Sequence, residues 1–145
     1  MRSLPTPQEI IETLGMSRHP EGGWYAESFR DSPSDGSRGH STAIYYLLQR
    51  GERSHWHRVL DADEVWHWYA GGPLRLRVSH EGRTEQIHRL GQDLTHDQRP
   101  QYVVPAGSWQ AAEPVLDWVL VGCTVAPAFT FDAFEMAPKG WSPGA

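Results

Sequence analysis

Ser54-His55-Trp56-His57-Arg58-Val59-Leu60-Asp61-Ala62-Asp63-Glu64-Val65-Trp66-His67-Trp68 is the stretch on which the reading of the fold turns. Along a β-strand, residues two apart face the same side, about 7 Å from one another. His55 and His57 are therefore expected to aim both imidazoles at one point. If the chain turns through Leu60-Asp61-Ala62-Asp63 and returns antiparallel, His57 comes opposite Glu64 and His55 opposite Trp66. That register gathers two imidazoles, a carboxylate and the faces of Trp66 and Trp68 on one inner wall. Two His and one carboxylate with open positions suit Fe(II), and also Mn, Ni or Zn. The same parity sends Trp56, Val65, His67 and Tyr69 outward, which makes His67 a packing or interface residue rather than a ligand. Taken alone, a His-x-His pair is weak evidence, because neighbouring groups often satisfy such residues.

Outward from this stretch the chain reads as strands and turns. The segment 41–49 (STAIYYLLQ) is rich in β-branched and aromatic residues. Further strands are expected at 24–30, 53–59, 64–70, 74–79, 83–89, 101–104, 108–112 and 116–125, with a hairpin turn at Glu81-Gly82. DSPSDGSRG (31–39) and the segment 91–100 are polar loops. Many short strands punctuated by Gly and Pro indicate an all-β sandwich or barrel, about 22–136. One helix precedes it. Thr6-Pro7-Gln8-Glu9 supplies a cap, a Pro at the first helical position and a Glu three residues after the cap, so a helix is expected at 7–14, stopped by Gly15. Phe129, Phe131 and Phe134 should anchor the chain's end, and the tail 138–145 is expected to be loose.

Composition excludes several function classes. With 145 residues the chain is read as one domain, 1–145. Lys+Arg 13 against Asp+Glu 18, a net charge of −5, gives no general attraction to nucleic acid or to anionic membranes. The first residues lack the apolar core of a signal peptide and no apolar run is long enough to span a bilayer, so a cytoplasmic chain is expected. The single Cys, Cys123, lies in an apolar run and reads as a buried small hydrophobe. There is no nucleophile elbow, phosphate loop or dinucleotide fingerprint. The 8 His and 7 Trp are the unusual counts. His19, His40, His80, His88 and His96 sit in loops or beside turns and read as surface residues.

Gly51…His55-x-His57…Glu64…Gly71 resembles the first signature motif of the cupin superfamily, and Pro105-Ala106-Gly107-Ser108-Trp109-Gln110 resembles the second. More specifically, the chain resembles the cupin subfamily of unknown function designated DUF985, or cupin type 5. That likeness rests on His19-Pro20-Glu21-Gly22-Gly23-Trp24-Tyr25, on 41–48, 55–71 and 100–107, and on WVLVGCTVAP at 118–127. The resemblance implies a double-stranded β-helix, or jelly-roll barrel, usually a homodimer, with its site inside the barrel. It also implies a metal set of His55, His57, Glu64 and Gln110. This sequence departs from the pattern in three ways. Six residues separate His57 from Glu64, so Asp61 and Asp63 compete for the carboxylate role; Gly51 sits closer to His55; and Gln110 stands where the family usually has a third His. An amide oxygen is a weaker donor than imidazole, so Fe, Mn, Ni or Zn would be weakly held.

Three functions follow as expectations. The first is metal-dependent chemistry on a small polar or sugar-like substrate, with His55, His57 and Glu64 as the reacting groups and Trp66, Trp68, Tyr46 and Trp24 as pocket walls. Only one of Tyr45 and Tyr46 can face inward. The second is metal-free acid–base catalysis like that of cupin sugar-nucleotide epimerases, which requires Arg75, Arg77 or Arg89 at the barrel mouth for phosphate. The third is a non-enzymatic small-molecule binding module. Glu27 and Arg30 are read first as a solvated strand edge, with a charge that reaches the barrel mouth as the alternative.

Overall fold

The computed structural model describes residues 3–144. Helix α1 (Pro7–Leu14) forms as its sequence demands, with the Thr6 side chain accepting from the Glu9 backbone and Glu9 reaching back to the Thr6 N–H. Eleven strands follow: β1 (Ser17–Arg18), β2 (Trp24–Arg30), β3 (Thr42–Leu48), β4 (Ser54–Val59), β5 (Asp63–Gly71), β6 (Leu74–Ser79), β7 (Gln86–Leu90), β8 (Gln101–Val104), β9 (Trp109–Pro114), β10 (Val119–Ala126) and β11 (Phe134–Met136). Two of these, β1 and β11, carry no sequence signal because they are only two and three residues long.

The strands form two antiparallel sheets in a jelly-roll sandwich, ordered β1-β2-β3-β10-β5-β8 and β11-β4-β9-β6-β7. Strands β4 and β5 are thus not the hairpin expected from sequence. The chain crosses from one sheet to the other at 60–62, and β4 pairs instead with β9 and β11. His57 lies opposite Gln110 rather than Glu64.

Alternation sets the two faces of each sheet. Inward residues include Tyr46 and Leu48 of β3, Trp66 of β5, Leu74, Leu76 and Val78 of β6, and Val119, Val121 and Cys123 of β10. The outer face of the six-stranded sheet carries Leu47, Tyr45, Trp24 and Leu120, which α1 covers with Ile10 and Ile11. Tyr46 is therefore the inward tyrosine and Tyr45 the outward one. Residues 138–144 are not loose. Trp141 packs on Trp56 and Trp109, and the Gly144 N–H bonds to the Gly82 carbonyl; residue 145 lies outside the described residues. Among the described residues, no helix is long and apolar enough to cross a membrane.

Candidate functional site

One pocket enters the barrel between the two sheets, a cavity of ≈ 80 Å³. Its floor is built by the 19–23 loop and by inward positions of β4, β5 and β10. In the loop, two glycines are needed. Gly22 has φ 111°, and a Cβ there would lie 2.1 Å from the Arg53 carbonyl oxygen; Gly23 has φ 80° and lies against the Leu47 carbonyl. That close seating, together with the His55 N–H donating to the Glu21 carbonyl at 2.8 Å, turns the Glu21 side chain into the barrel.

Glu21 meets His57 there, its Oε2 3.1 Å from Nε2. The other imidazole nitrogen, Nδ1, is 2.7 Å from the His55 carbonyl, which only accepts, so Nδ1 carries the hydrogen. Neutral His57 therefore presents a bare Nε2 toward the Glu21 carboxyl. Burial decides the charge of both groups. Desolvation raises the Glu21 carboxyl to about 8 and lowers His57. Both shifts favour the uncharged forms, a carboxylic acid beside a neutral imidazole, over an ion pair. His19 is lowered to about 4, by burial and then by His57. Its Nδ1 accepts the Glu21 backbone N–H at 3.1 Å.

Glu64 faces the same cavity, buried to 8% exposure, its pKa raised chiefly by desolvation. Of the three acids that competed from sequence, Glu64 points inward, Asp61 pairs with Arg38 and Asp63 accepts the Ala106 N–H at the surface. Gln110 lies between Glu64 and Trp66. The Trp66 indole N–H can only donate, so its 2.7 Å contact fixes Gln110 Oε1 as the acceptor. The amide NH₂ is then left to donate to Glu64 Oε1 at 2.9 Å.

The four residues of the expected metal set are placed unequally. His57 and Glu64 face one cavity. His55 does not, because a bulge between Ser54 and His57 breaks the strand alternation, and its ring turns to the Ala137 and Pro138 carbonyls. Gln110 offers the pocket an N–H donor rather than a lone pair. Among the described residues, no group of three or more His, Cys, Asp or Glu is arranged to hold a metal ion. The residues present thus do not fit a cradle for Fe, Mn, Ni or Zn.

The expected walls also differ. Trp66 sits behind Gln110 with 0% exposure, Trp68 bonds the Gly72 carbonyl, Tyr46 bonds the Gly22 carbonyl, and Trp24 lies on the outer face under α1. None of the four lines the cavity; Tyr25, Ile44, Phe129, Phe131 and Phe134 do. Strand parity explains Tyr25, the neighbour of Trp24 on the opposite face. Glu27 and Arg30 reach the mouth, joined by two 2.9 Å hydrogen bonds. Arg75 and Arg77 pair with Glu113 on the outer face of the five-stranded sheet, and Arg89 lines a separate groove, so none supplies phosphate contacts at the mouth.

Sequence reasoning missed Glu21 and His19 as site residues and read Cys123 only as core, although it is both buried and pocket-lining. The signal for the first two was the His19-Pro20-Glu21-Gly22-Gly23 run. Adjacent glycines mark a backbone pressed against another strand, and the polar residues beside them are carried inward.

The family model described as "Cupin superfamily (DUF985)" matches residues 8–137. Protein SO0799 from Shewanella oneidensis is similar at 39% identity and TM-score 0.86, covering 92% of this chain and 85% of that one. A hypothetical protein from Leishmania major is similar at 30% identity and TM-score 0.82, covering 94% and 90%. Oxalate decarboxylase from Bacillus subtilis shares only the fold, at 14% identity and TM-score 0.61 over 82% of this chain and 29% of that one. No curated protein matches the sequence.

Proposed function

Since the chain belongs to the DUF985 family of the cupin superfamily, a fold that hosts many chemistries, we propose from the site itself that it binds a small polar molecule in the barrel and moves protons on it. The observation that carries this reading is the buried Glu21–His57 pair at the cavity floor, with its carboxyl oxygen 3.1 Å from the bare imidazole nitrogen. Such a pair is balanced for concerted transfer. Glu21 gives its proton to a substrate oxygen as His57 Nε2 takes one from the adjacent carbon. A C–H bond breaks, an O–H and an N–H form, and the pair becomes carboxylate and imidazolium, which attract each other. Reversal returns a proton from His57 to the same carbon, which gives exchange with solvent, or to a neighbouring hydroxyl-bearing carbon of the enediol, which gives isomerisation.

Solvent deuterium tests this without a named substrate. The protein is incubated in D₂O with pools of small carbonyl and hydroxy-carbonyl compounds, and carbon-bound deuterium is read by NMR. Wild type is expected to exchange one position in at least one compound, while folded Glu21→Gln and His57→Phe variants do not. A ligand that co-purifies and never exchanges would overturn catalysis in favour of a binding module. Stoichiometric metal that is lost in His57→Phe would overturn the metal-free reading. The expected homodimer belongs to the same proposal, and Tyr69 and Val103, about half exposed on the outer sheet face, support it.

A further inference from the structure

The pocket has an imbalance of charge-bearing groups. Two carboxyl groups, Glu21 and Glu64, face it, each on a residue no more than 8% exposed. Among the described residues, no Lys or Arg lines its interior. Arg30, at the mouth, is committed to both Glu27 oxygens and to the Phe129 carbonyl. His57 turns its N–H to its own strand, while His19 accepts at Nδ1, 3.8 Å from Glu21 Oε1, and so carries its hydrogen on Nε2. Beside Glu21 lies Ser54, its hydroxyl fully buried. Burying polar groups in this way is costly unless a partner arrives. Above the floor, Phe129, Phe131 and Phe134 meet edge to face and Tyr25 completes the wall, so the approach to the acids is through π-faces.

Resting on the reading of this cavity as a substrate site, we propose that its ligand is a small organic cation, an amine whose ammonium group sits between Glu21 and Glu64. Three N–H donors match a floor rich in acceptors, and the aromatic walls favour a cation over a neutral group of equal size. Anionic substrates, nucleotide sugars among them, meet two acids and no free cation inside. A metal ion would need lone pairs that the aromatic walls lack, and among the described residues no group of three or more His, Cys, Asp or Glu is arranged to hold one. The cavity volume of ≈ 80 Å³ suits a small head group rather than a large ligand.

The experiment compares n-butylamine, 1-butanol and butyrate, of nearly equal size, on the wild-type chain at pH 7. Binding is read by calorimetry and by shifts of the Phe129, Phe131 and Phe134 ring signals in NMR. The amine is expected to bind at least tenfold more tightly than the alcohol, with butyrate undetectable, and folded Glu64→Gln should lose that preference while still binding the alcohol. Equal binding of amine and alcohol overturns the inference, yet leaves proton transfer standing if deuterium exchange occurs with another compound. Tighter binding of butyrate overturns it outright. So does zinc or manganese that displaces the amine and binds stoichiometrically in wild type but not in Glu64→Gln.

Discussion

The barrel interior has two halves that share strands and differ in content. Toward the start of β10 the space is filled by Leu48, Leu74, Leu76, Leu90 and Val119, all at or below 1% exposure. Toward the end of β10 the equivalent inward positions meet Glu64, Thr42, Cys123 and the Glu21–His57 pair. Trp66 and Gln110 form the border, one N–H reaching from the apolar half to an amide that serves the polar half. The contrast shows how this small fold tolerates buried acids: the apolar half supplies the stability against which the buried polar groups of the other half are set.

The largest expected effect therefore lies away from the site. Leu76→Ala should cost about 2–5 kcal/mol in urea unfolding, the usual range for a fully buried leucine, while leaving any pocket ligand affinity per folded molecule unchanged. A loss of affinity in step with stability would mean the halves are one unit.

The next effect is the pH dependence that the polar half imposes. Glu21 ionises near 4.5 when unfolded and at about 8 when folded, so the unfolded chain releases its proton first and stability falls as pH rises across that window. His19 acts in the opposite sense. It is lowered from 6.5 to about 4, so the unfolded chain takes up a proton first and stability is lost as pH falls through that range, with His57 shifted in the same direction. Above 6.5 the histidines no longer oppose Glu21, and about 2 kcal/mol should be lost by pH 8. Glu64, also raised, acts in the same sense as Glu21. Glu21→Gln keeps an N–H donor for His57 and should flatten the alkaline limb, which unfolding curves at pH 6.5 and pH 8 would reveal. An unchanged limb would mean that Glu21 is ionised in the resting protein.

The same division explains what the sequence made legible. The helix and the nine longer strands were readable because capping residues and period-two patterns are local. The sheet partners of β4 were not, since a turn and a cross-sheet corner look alike in sequence and only long-range packing separates them. His57 and Glu64 were found by parity. His55 was misplaced because a bulge shifts parity by one residue without any Gly or Pro to announce it. Gln110 was read as a donor of lone pairs, whereas its orientation depends on Trp66, 44 positions away in the chain. Glu21 lies in a loop with no periodicity at all, and only its flanking glycines hint at the seat it occupies.

The border between the halves should be sensitive at an intermediate level. Gln110→Leu leaves the Trp66 indole N–H and one Glu64 oxygen without partners, at a cost of about 1–3 kcal/mol. Because the Gln110 hydrogen bond favours the Glu64 carboxylate, its loss should push the Glu64 pKa further up, a direction that NMR titration of a labelled Glu64 would follow. If stability is unaffected, the two halves are coupled through packing alone.

The smallest effect belongs to the mouth. Glu27 and Arg30 are each 37% exposed, and an exposed pair of this kind contributes about 0–1 kcal/mol. Arg30→Ala should leave urea unfolding within about 0.5 kcal/mol of wild type, yet it releases Glu27 beside the opening. A third acid then faces an incoming cation, so association of n-butylamine should speed up several-fold at low ionic strength and return toward the wild-type rate in salt. A stability loss as large as that of Leu76→Ala would show that the mouth is structural, and would redraw the boundary between the half that holds the fold and the half that meets the ligand.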